Sequence, residues 1–289
     1  MKYGFIFPQY ELPPDPIAIR DYVQAAESLG YDYLMTYEHV LGANPDRPGG
    51  WHGPYTYQHA FHEPFVLFGY LAGLTQTLEF ATGILILPQR QTVLVAKQAA
   101  QVDVLSGGRL RLGVGVGWNK VEYDGLNEDY GKRGKRIEEQ IALMRRLWTE
   151  PLVTFQGEFD RVDDAGISPL PLQQPIPVWF GGGADVVLKR MARLGDGWIP
   201  NTMPLDTAKS MVQKVRDYLQ QVGRDPQTFG IDVRLNISSQ ERSTWEHYVE
   251  TWRDLGMTHL CVNPLHAGLD TVDKQINLLR TFKDALMPE

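Results

Sequence analysis

Two apolar runs separated by a helical segment form the clearest pattern of hydrophobic and polar positions in the chain. The runs Phe80–Leu87 and Leu110–Val116 are largely apolar, which is typical of parallel strands buried on both faces. The segment between them has the spacing of a helix and stops at Ser106-Gly107-Gly108. This stretch therefore predicts a strand, a helix and a second strand parallel to the first.

The same alternation recurs along the whole chain. Eight segments are predicted to be strands: Lys2–Gln9, Tyr33–Glu38, Leu78–Leu87, Leu110–Val116, Ile176–Phe180, Gly197–Pro200, Ile231–Ile237 and His259–Asn263. A helical pattern follows each of them: Ile17–Leu29, Pro64–Leu74, Thr92–Leu105, Gly134–Trp148, a helix ending at Leu194, Asp206–Val222, Ser243–Leu255 and Asp270–Leu286. We predict an α/β fold with one domain over residues 1–289, a (β/α)8 TIM barrel. A doubly wound open sheet is the alternative, although such sheets normally have fewer strands.

Two insertions interrupt the alternation, one after strand two and one before strand five. The first, Val40–Glu63, is rich in Gly, Pro, His and aromatic residues, and the second, Pro151–Pro175, is rich in turn residues. A small hairpin is predicted around Phe155–Phe159 in the second insertion. Because disordered segments rarely carry so many aromatic side chains, we expect the first insertion to be ordered over a pocket.

Composition and charge exclude several classes of function. The formal net charge is −7 and no basic stripe offsets it, which argues against nucleic acid and anionic membranes as partners. No window approaches the roughly 18 apolar residues of a membrane helix, and the first residues lack the pattern of a signal peptide. The single cysteine, Cys261, lies in an apolar run. We therefore expect a cytoplasmic protein without an intrachain disulfide.

Glycines mark the ends of the third, fourth and fifth predicted strands. Gly83 interrupts the third, Gly113, Gly115 and Gly117 alternate along the fourth, and Gly181-Gly182-Gly183 follows the fifth where a helix begins. Glycine inside a strand marks a bulge or a ligand close to the backbone, and a glycine turn before a helix favours a phosphate. We interpret the pattern as a flat ligand lying across the open end of the sheet. Tight packing and a plain tight turn remain the alternatives.

Few side chains at the strand ends can transfer protons or bind metal. His39 ends the second strand, where it reaches the barrel mouth, and it can exchange protons near neutral pH with Glu38 orienting it. A surface histidine is the alternative. The insertion histidines His52, His59 and His62 could form a zinc cluster, but their spacing matches no common site. No metal site is predicted.

Four segments resemble the bacterial luciferase-like flavin oxidoreductases. They are Tyr37-Glu38-His39, Gly83-Ile84, the Ser-Gly-Gly-Arg and Gly-x-Gly-x-Gly-Trp-Asn stretch from Ser106 to Asn119, and Pro177–Gly182. This superfamily includes alkanal monooxygenases that use reduced FMN and many enzymes that use the deazaflavin coenzyme F420. The resemblance covers nearly the whole chain.

The resemblance implies a role for each of these segments. A non-prolyl cis peptide bond that supports the flavin ring would lie at Gly83-Ile84, and His39 would be the active-site histidine. The ring and tail of the cofactor would lie against the loop after strand four, and its phosphate against the turn after strand five. The implied cofactor-binding residues are Gly83, Ile84, Gly115, Val116, Gly117, Asn119, Gly181, Gly182 and Gly183.

Two departures from the family pattern bear on the choice of cofactor. Deazaflavin members often carry Asp before the histidine, whereas this chain carries Glu38, as the luciferases do. The luciferases place a basic residue for the phosphate where this chain has Val116, and Arg133 or Arg136 could replace it. The overall pattern favours coenzyme F420, with FMN as the alternative.

We therefore expect an F420-dependent oxidoreductase that transfers a hydride to or from a small organic substrate. His39 would be the proton donor or acceptor, held by Glu38, and an aromatic substrate pocket would consist of Trp51, Tyr55, Tyr57 and Trp118. Three alternatives are an FMN-dependent monooxygenase with a partner reductase, a metal-dependent barrel hydrolase and a non-catalytic flavin-binding protein. A flavin or F420 reductase and a second copy of the chain are the protein partners considered.

Overall fold

Eight parallel strands close into a barrel in the computed structural model, which describes residues 1–287. The strands are β1 (Lys2–Ile6), β2 (Tyr33–Thr36), β3 (Glu79–Thr82, continued by Leu85–Ile86), β4 (Leu110–Gly115), β5 (Val178–Gly181), β6 (Gly197–Ile199), β7 (Gly230–Asn236) and β8 (His259–Asn263). Each strand pairs in parallel with its neighbours in sequence, and β1 pairs with β8 to complete the ring. The predicted (β/α)8 barrel is confirmed, and the open-sheet alternative is wrong.

Nine α-helices are found in the described residues: α1 (Pro16–Ser28), α2 (Pro64–Ala72), α3 (Thr92–Ser106), α4 (Lys120–Gly125), α5 (Arg133–Thr149), α6 (Asp185–Leu194), α7 (Leu205–Gln221), α8 (Trp245–Asp254) and α9 (Val272–Leu286). All but α4 were predicted, with similar bounds. Asp15 and Glu63 cap the first turns of α1 and α2, each followed by a proline, and Gly107 ends α3 with a φ of 73°. These are ordinary start and stop signals of helices. No helix among residues 1–287 combines the length and apolar character needed to cross a membrane.

Strand β3 differs from its prediction as one continuous strand over Leu78–Leu87. It is broken at Gly83-Ile84, where the peptide bond is cis, as the family resemblance implied. The two segments keep different contacts with the neighbouring strand, since Phe80 pairs with Leu110 and Leu85 pairs with Val114. The break therefore lies at the carboxyl end of β3, beside the glycines of β4.

Four side chains fill the half of the barrel nearer the amino ends of the strands, which we call the lower half. This group, the plug, is formed by Tyr33, Arg111, Trp179 and Asp232. The Arg111 guanidinium lies between the Tyr33 and Trp179 rings, 4.8 and 4.4 Å from their centroids, and is 2.8 Å from Asp232. The Tyr33 hydroxyl donates a 2.7 Å hydrogen bond to Asp232. A Cβ on Gly4 would lie 2.3 Å from the Tyr33 ring, so the plug needs glycine there.

The two insertions lie at different places on the barrel. The first, after β2, contains an isolated bridge between Ala43 and Thr56 and no helix or longer strand among its described residues. The second contains the predicted hairpin, with strands Val153–Gln156 and Arg161–Ala165 in antiparallel pairing. Glu139 of α5 accepts three backbone N–H groups of the hairpin turn, which fastens this insertion to the outer helices.

Candidate active site

Two adjoining cavities occupy the carboxyl ends of the strands. The histidine cavity, about 340 Å³, is bounded by His39, Tyr55 and Asn263. The glycine cavity, about 350 Å³, is bounded by Gly115, Val116 and the turn Gly181-Gly182-Gly183. They share six lining residues: Gly83, Ile84, Gly117, Trp118, Asn201 and Arg234. A third cavity of about 590 Å³ lies beside α7 and the amino end of β7, away from the strand ends where barrel sites are built.

Glycines leave room for the Ile84 and Ile86 side chains where three strands approach one another. A Cβ on Gly115 would lie 2.5 Å from Ile84, a Cβ on Gly181 would lie 2.7 Å from it, and a Cβ on Gly117 would lie 2.7 Å from Ile86. These glycines are therefore packing residues, and the same residues line the cavities. The two interpretations offered by the sequence are compatible, because close packing of bare backbone also creates a floor on which a flat ring fits.

The glycine turn before α6 provides backbone donors at the far end of the glycine cavity. Helix α6 begins at Asp185, and Gly183, Ala184 and Val187 line the cavity beside it. The first N–H groups of a helix have no partner within the helix and favour an anion. Arg133 and Arg136 do not contribute, since Arg133 packs on Tyr130 and Arg136 pairs with Glu128. The suggestion that either arginine replaces the missing basic residue is not supported.

His39 is held by Glu122 of α4. The His39 Nδ1 atom lies 3.1 and 3.2 Å from the two carboxylate oxygens of Glu122. Glu122 is fully buried and also accepts the backbone N–H of Val40 at 2.8 Å. Because a carboxylate only accepts hydrogen bonds, Nδ1 carries the proton and Nε2 is left as the accepting atom. This contact joins two residues 83 positions apart.

The prediction that Glu38 holds His39 is wrong. Consecutive residues at the end of an extended strand point in opposite directions, and the Glu38 carboxylate accepts the Ile86 N–H at 2.5 Å and the Arg90 Nε–H at 2.7 Å. Burial raises the pKa of Glu38, with Arg90 opposing the rise. Arg90 also donates to Glu63 at 2.8 Å. Glu38 therefore supports the second segment of β3 instead of orienting the histidine.

Asn119 does not line either cavity. Its side chain caps α4 by accepting the N–H of Val121 at 3.0 Å, and the residue is buried. The resemblance assigned it to the cofactor, whereas the structure gives it the task of starting the helix that carries Glu122. The sequence contained a signal for this, because Asn followed by a short polar segment is a common helix start.

An aromatic shell surrounds the His39 ring. The centroids of Tyr55 and Phe61 lie 4.9 Å from it and that of Trp118 lies 5.7 Å from it. Tyr55 and Trp118 line the histidine cavity, whereas Trp51 lies behind them, 5.7 Å from Trp118.

The remaining aromatic and histidine side chains of the first insertion lie elsewhere. Tyr57 is 61% exposed and lines neither cavity. Its predicted place in the aromatic pocket is therefore wrong. His59 accepts the Thr56 N–H, and His62 packs against Phe7. Within residues 1–287, no three His, Cys, Asp or Glu side chains converge as a metal site.

A polar wall faces the aromatic shell across the histidine cavity. Asn263 donates to Asn236 at 2.8 Å, and Asn236 donates to Thr202 at 2.7 Å. Arg234 lies one inward-facing position below Asn236 on β7 and lines both cavities. Sequence reasoning missed Arg234 and Asn236, although the alternation Asp232, Arg234, Asn236 in an otherwise apolar strand was visible.

Comparisons with known proteins agree with the fold. The family model described as luciferase-like monooxygenase matches residues 5–280. An uncharacterized protein from Mycobacterium tuberculosis is 34% identical over 221 residues, which cover 75% of this chain and 74% of that protein. An F420-dependent glucose-6-phosphate dehydrogenase from Segniliparus rotundus is 31% identical over 239 residues, covering 80% of this chain and 67% of the relative.

A solved structure shows the same fold over the full length. The F420-dependent secondary alcohol dehydrogenase, solved with an F420-acetone adduct, superposes with a TM-score of 0.78 at 17% identity, covering 100% of this chain and 99% of the other. With the family model matched over nearly all of the chain, the protein belongs to the luciferase-like monooxygenase family.

Proposed function

We propose that the protein is an oxidoreductase that binds coenzyme F420 and uses His39 to move the proton that accompanies hydride transfer. The observation that carries the proposal is the His39–Glu122 pair at the wall of a cavity whose floor is glycine backbone. The 31% identity with an F420-dependent dehydrogenase supports the choice of the deazaflavin. A flavin monooxygenase is the second candidate, favoured by the name of the family model.

The residues present fit a flavin-type cofactor. Gly83 and Gly117 present backbone without side chains along the shared floor of the two cavities, and Gly181 does the same in the glycine cavity. The turn before α6 offers backbone N–H donors for a phosphate, and Arg234 offers a cation beneath the cavities. When bound, the cofactor accepts or donates a hydride.

The part played by the chain follows from the geometry of His39. With Nδ1 held by Glu122, Nε2 would take the proton of a substrate hydroxyl while the carbon that bears this hydroxyl gives up a hydride to the cofactor. In the reverse reaction Nε2 would return the proton to the oxygen. The Glu122 carboxylate stabilises the protonated ring. The rings of Tyr55, Phe61 and Trp118 pack around His39 and leave 9% of its side chain exposed.

Titration of the purified protein with F420 and, separately, with FMN, followed by cofactor fluorescence, tests the choice of cofactor. We expect F420 to bind more tightly than FMN. Tight binding of FMN alone would replace the proposal with the monooxygenase. Failure of both cofactors to bind would overturn the assignment of the glycine floor to a flavin-type ring.

His39→Gln and Glu122→Gln test the proton transfer. A panel of secondary alcohols and sugar phosphates is first screened for F420 reduction by absorbance. With the substrate found, we expect His39→Gln to lower turnover by roughly 100-fold or more while F420 affinity stays near that of the wild type. His247→Gln is the matched control, since His247 is exposed on α8. Wild-type turnover in His39→Gln would leave a binding protein or a different proton carrier.

A further inference from the structure

Three polar side chains of β7 point into the barrel and form a column along the strand. Ile231, Val233 and Leu235 pack outward in the core between barrel and helices, so the alternate residues Asp232, Arg234 and Asn236 point inward. Asp232 belongs to the plug and Asn236 to the polar wall. Arg234 therefore stands between them, at the base of both cavities.

Arg234 has no carboxylate partner among the described residues. Its Nη2 donates to the carbonyl oxygen of Pro200 at 2.8 Å, its Nη1 donates to the Tyr37 hydroxyl at 3.3 Å, and its buried Nε has no partner. The carboxylate of the same column, Asp232, is already engaged by Arg111 and Tyr33. All the atoms that Arg234 contacts are thus neutral.

The charges at the amino ends of the barrel strands and directly beneath the cavities do not cancel. Arg111 and Asp232 neutralise each other in the plug. Burial, together with Arg111 and Lys2, lowers the pKa of His259 to about 2, so that this ring is neutral. An arginine keeps its charge in a protein, which leaves one positive charge at the base of the cavities.

Arg234 is partly buried, and a partly buried charge without a counter-charge is costly, so the position favours a ligand that brings one. The guanidinium offers a planar set of donors that suits oxygen anions. We propose that Arg234 binds a negatively charged oxygen, carried either by the ring of the cofactor or by the substrate. This inference rests on the proposed function for its cofactor source, and its anion site can be tested without it.

The experiment compares the wild type with Arg234→Met, Arg234→Gln and Arg234→Lys. The Gln variant keeps a donor for the Pro200 carbonyl and replaces the Met variant if that one does not fold. Arg161→Met is the matched control, because Arg161 lies exposed on the hairpin. Thermal unfolding shows whether each variant is folded.

The first arm measures the ionisation of the ring hydroxyl of bound F420 by absorbance over a pH series. If the ring supplies the anion, its pKa when bound to the wild type and Arg234→Lys is lower than when bound to the neutral variants by about one unit or more. Arg161→Met should match the wild type. Acetate binding would then be blocked by bound F420.

The second arm titrates acetate into the protein without cofactor and into its F420 complex, by calorimetry. If the substrate supplies the anion, acetate still binds the F420 complex of the wild type, and the neutral variants bind it about tenfold more weakly. Equal acetate affinity and equal ring pKa in the wild type and neutral variants would overturn the inference. If neither F420 nor FMN binds, the proposed function fails, and the acetate titration of the free protein still decides on Arg234.

Discussion

The glycines of this barrel differ in how much space is available for an added Cβ atom. At Gly113 of β4 a Cβ would lie 1.9 Å from the backbone oxygen of Thr82, and a backbone atom of the neighbouring strand cannot move aside cheaply. At Gly69 in the middle of α2 no atom lies within 4 Å of such a Cβ. The same substitution should therefore have opposite effects at the two positions.

We expect Gly113→Ala to destabilise the protein by about 2–3 kcal/mol or more, because the added methyl overpacks the contact between β3 and β4. Gly69→Ala should stabilise it by about 0.5–1 kcal/mol, since alanine lowers the entropy lost on forming a helix. Urea unfolding of both variants measures the change. A neutral Gly113→Ala would show that β3 and β4 can separate locally.

Direction at a strand end explains why the partner of His39 was predicted wrongly. The sequence shows Glu38 and His39 side by side, and adjacency suggested a pair. In the folded chain they face different neighbours, Glu38 towards Ile86 and Arg90, and His39 towards Glu122. Contacts across 83 positions arise from barrel closure and leave no local pattern.

Helix α4 is a short element whose start decides the position of Glu122. Asn119 caps it, and Glu122 lies in its first turn. Loss of the cap should let the first turn fray, since such caps contribute about 1 kcal/mol. Because Glu122 fixes the proton on Nδ1 of His39, fraying should also release the tautomer of that ring.

We therefore expect Asn119→Ala to destabilise the protein by about 1 kcal/mol and to broaden or shift the imidazole ¹⁵N signals of His39, whereas Asn119→Asp should keep both near the wild type. Thr271→Ala is the matched control, because Thr271 caps the distant helix α9 and should cost similar stability with no change at His39. Unchanged His39 signals in Asn119→Ala would mean that α4 is held in place without its cap.

The elements that could be predicted are those with enough residues to show a period. The strands and the long helices follow from apolar spacing, and α3 ends at the expected Gly107. Helix α4 has six residues, among them Lys120, Glu122 and Asp124, which is too short and too polar for a recognisable apolar stripe. The glycines of the floor were identified from the sequence, whereas Arg234 and Asn236 were missed although they alternate with apolar residues along β7.

At the scale of the whole molecule, acid should weaken the barrel through His259. Its pKa is about 2 in the folded protein, against an ordinary value of 6.5, because the ring is buried near Arg111 and Lys2. Below about pH 6.5 the His259 ring binds a proton in the unfolded chain but stays neutral in the folded chain. The stability contributed by the neutral ring is therefore complete above that pH and is lost as the pH falls towards 2.

Between pH 6.5 and 5, His259 should contribute a loss of roughly 1–2 kcal/mol, at up to about 1.4 kcal/mol per pH unit. His259→Gln should show a shallower fall in unfolding free energy over this range, measured by urea titrations at each pH. His247→Gln, which changes an exposed ring, should fall as steeply as the wild type. Identical slopes in His259→Gln and the wild type would contradict the expected neutral state.

The plug affects how ligands reach and leave the site. The barrel below the cavities is filled by Tyr33, Arg111, Trp179 and Asp232. We therefore expect ligands to enter and leave the site from the carboxyl ends of the strands. The two cavities share six lining residues, so we expect ligands bound in both to lie side by side. We expect the ligand that binds second to obstruct the release of the first, so that the two dissociate in the reverse of the order in which they bound.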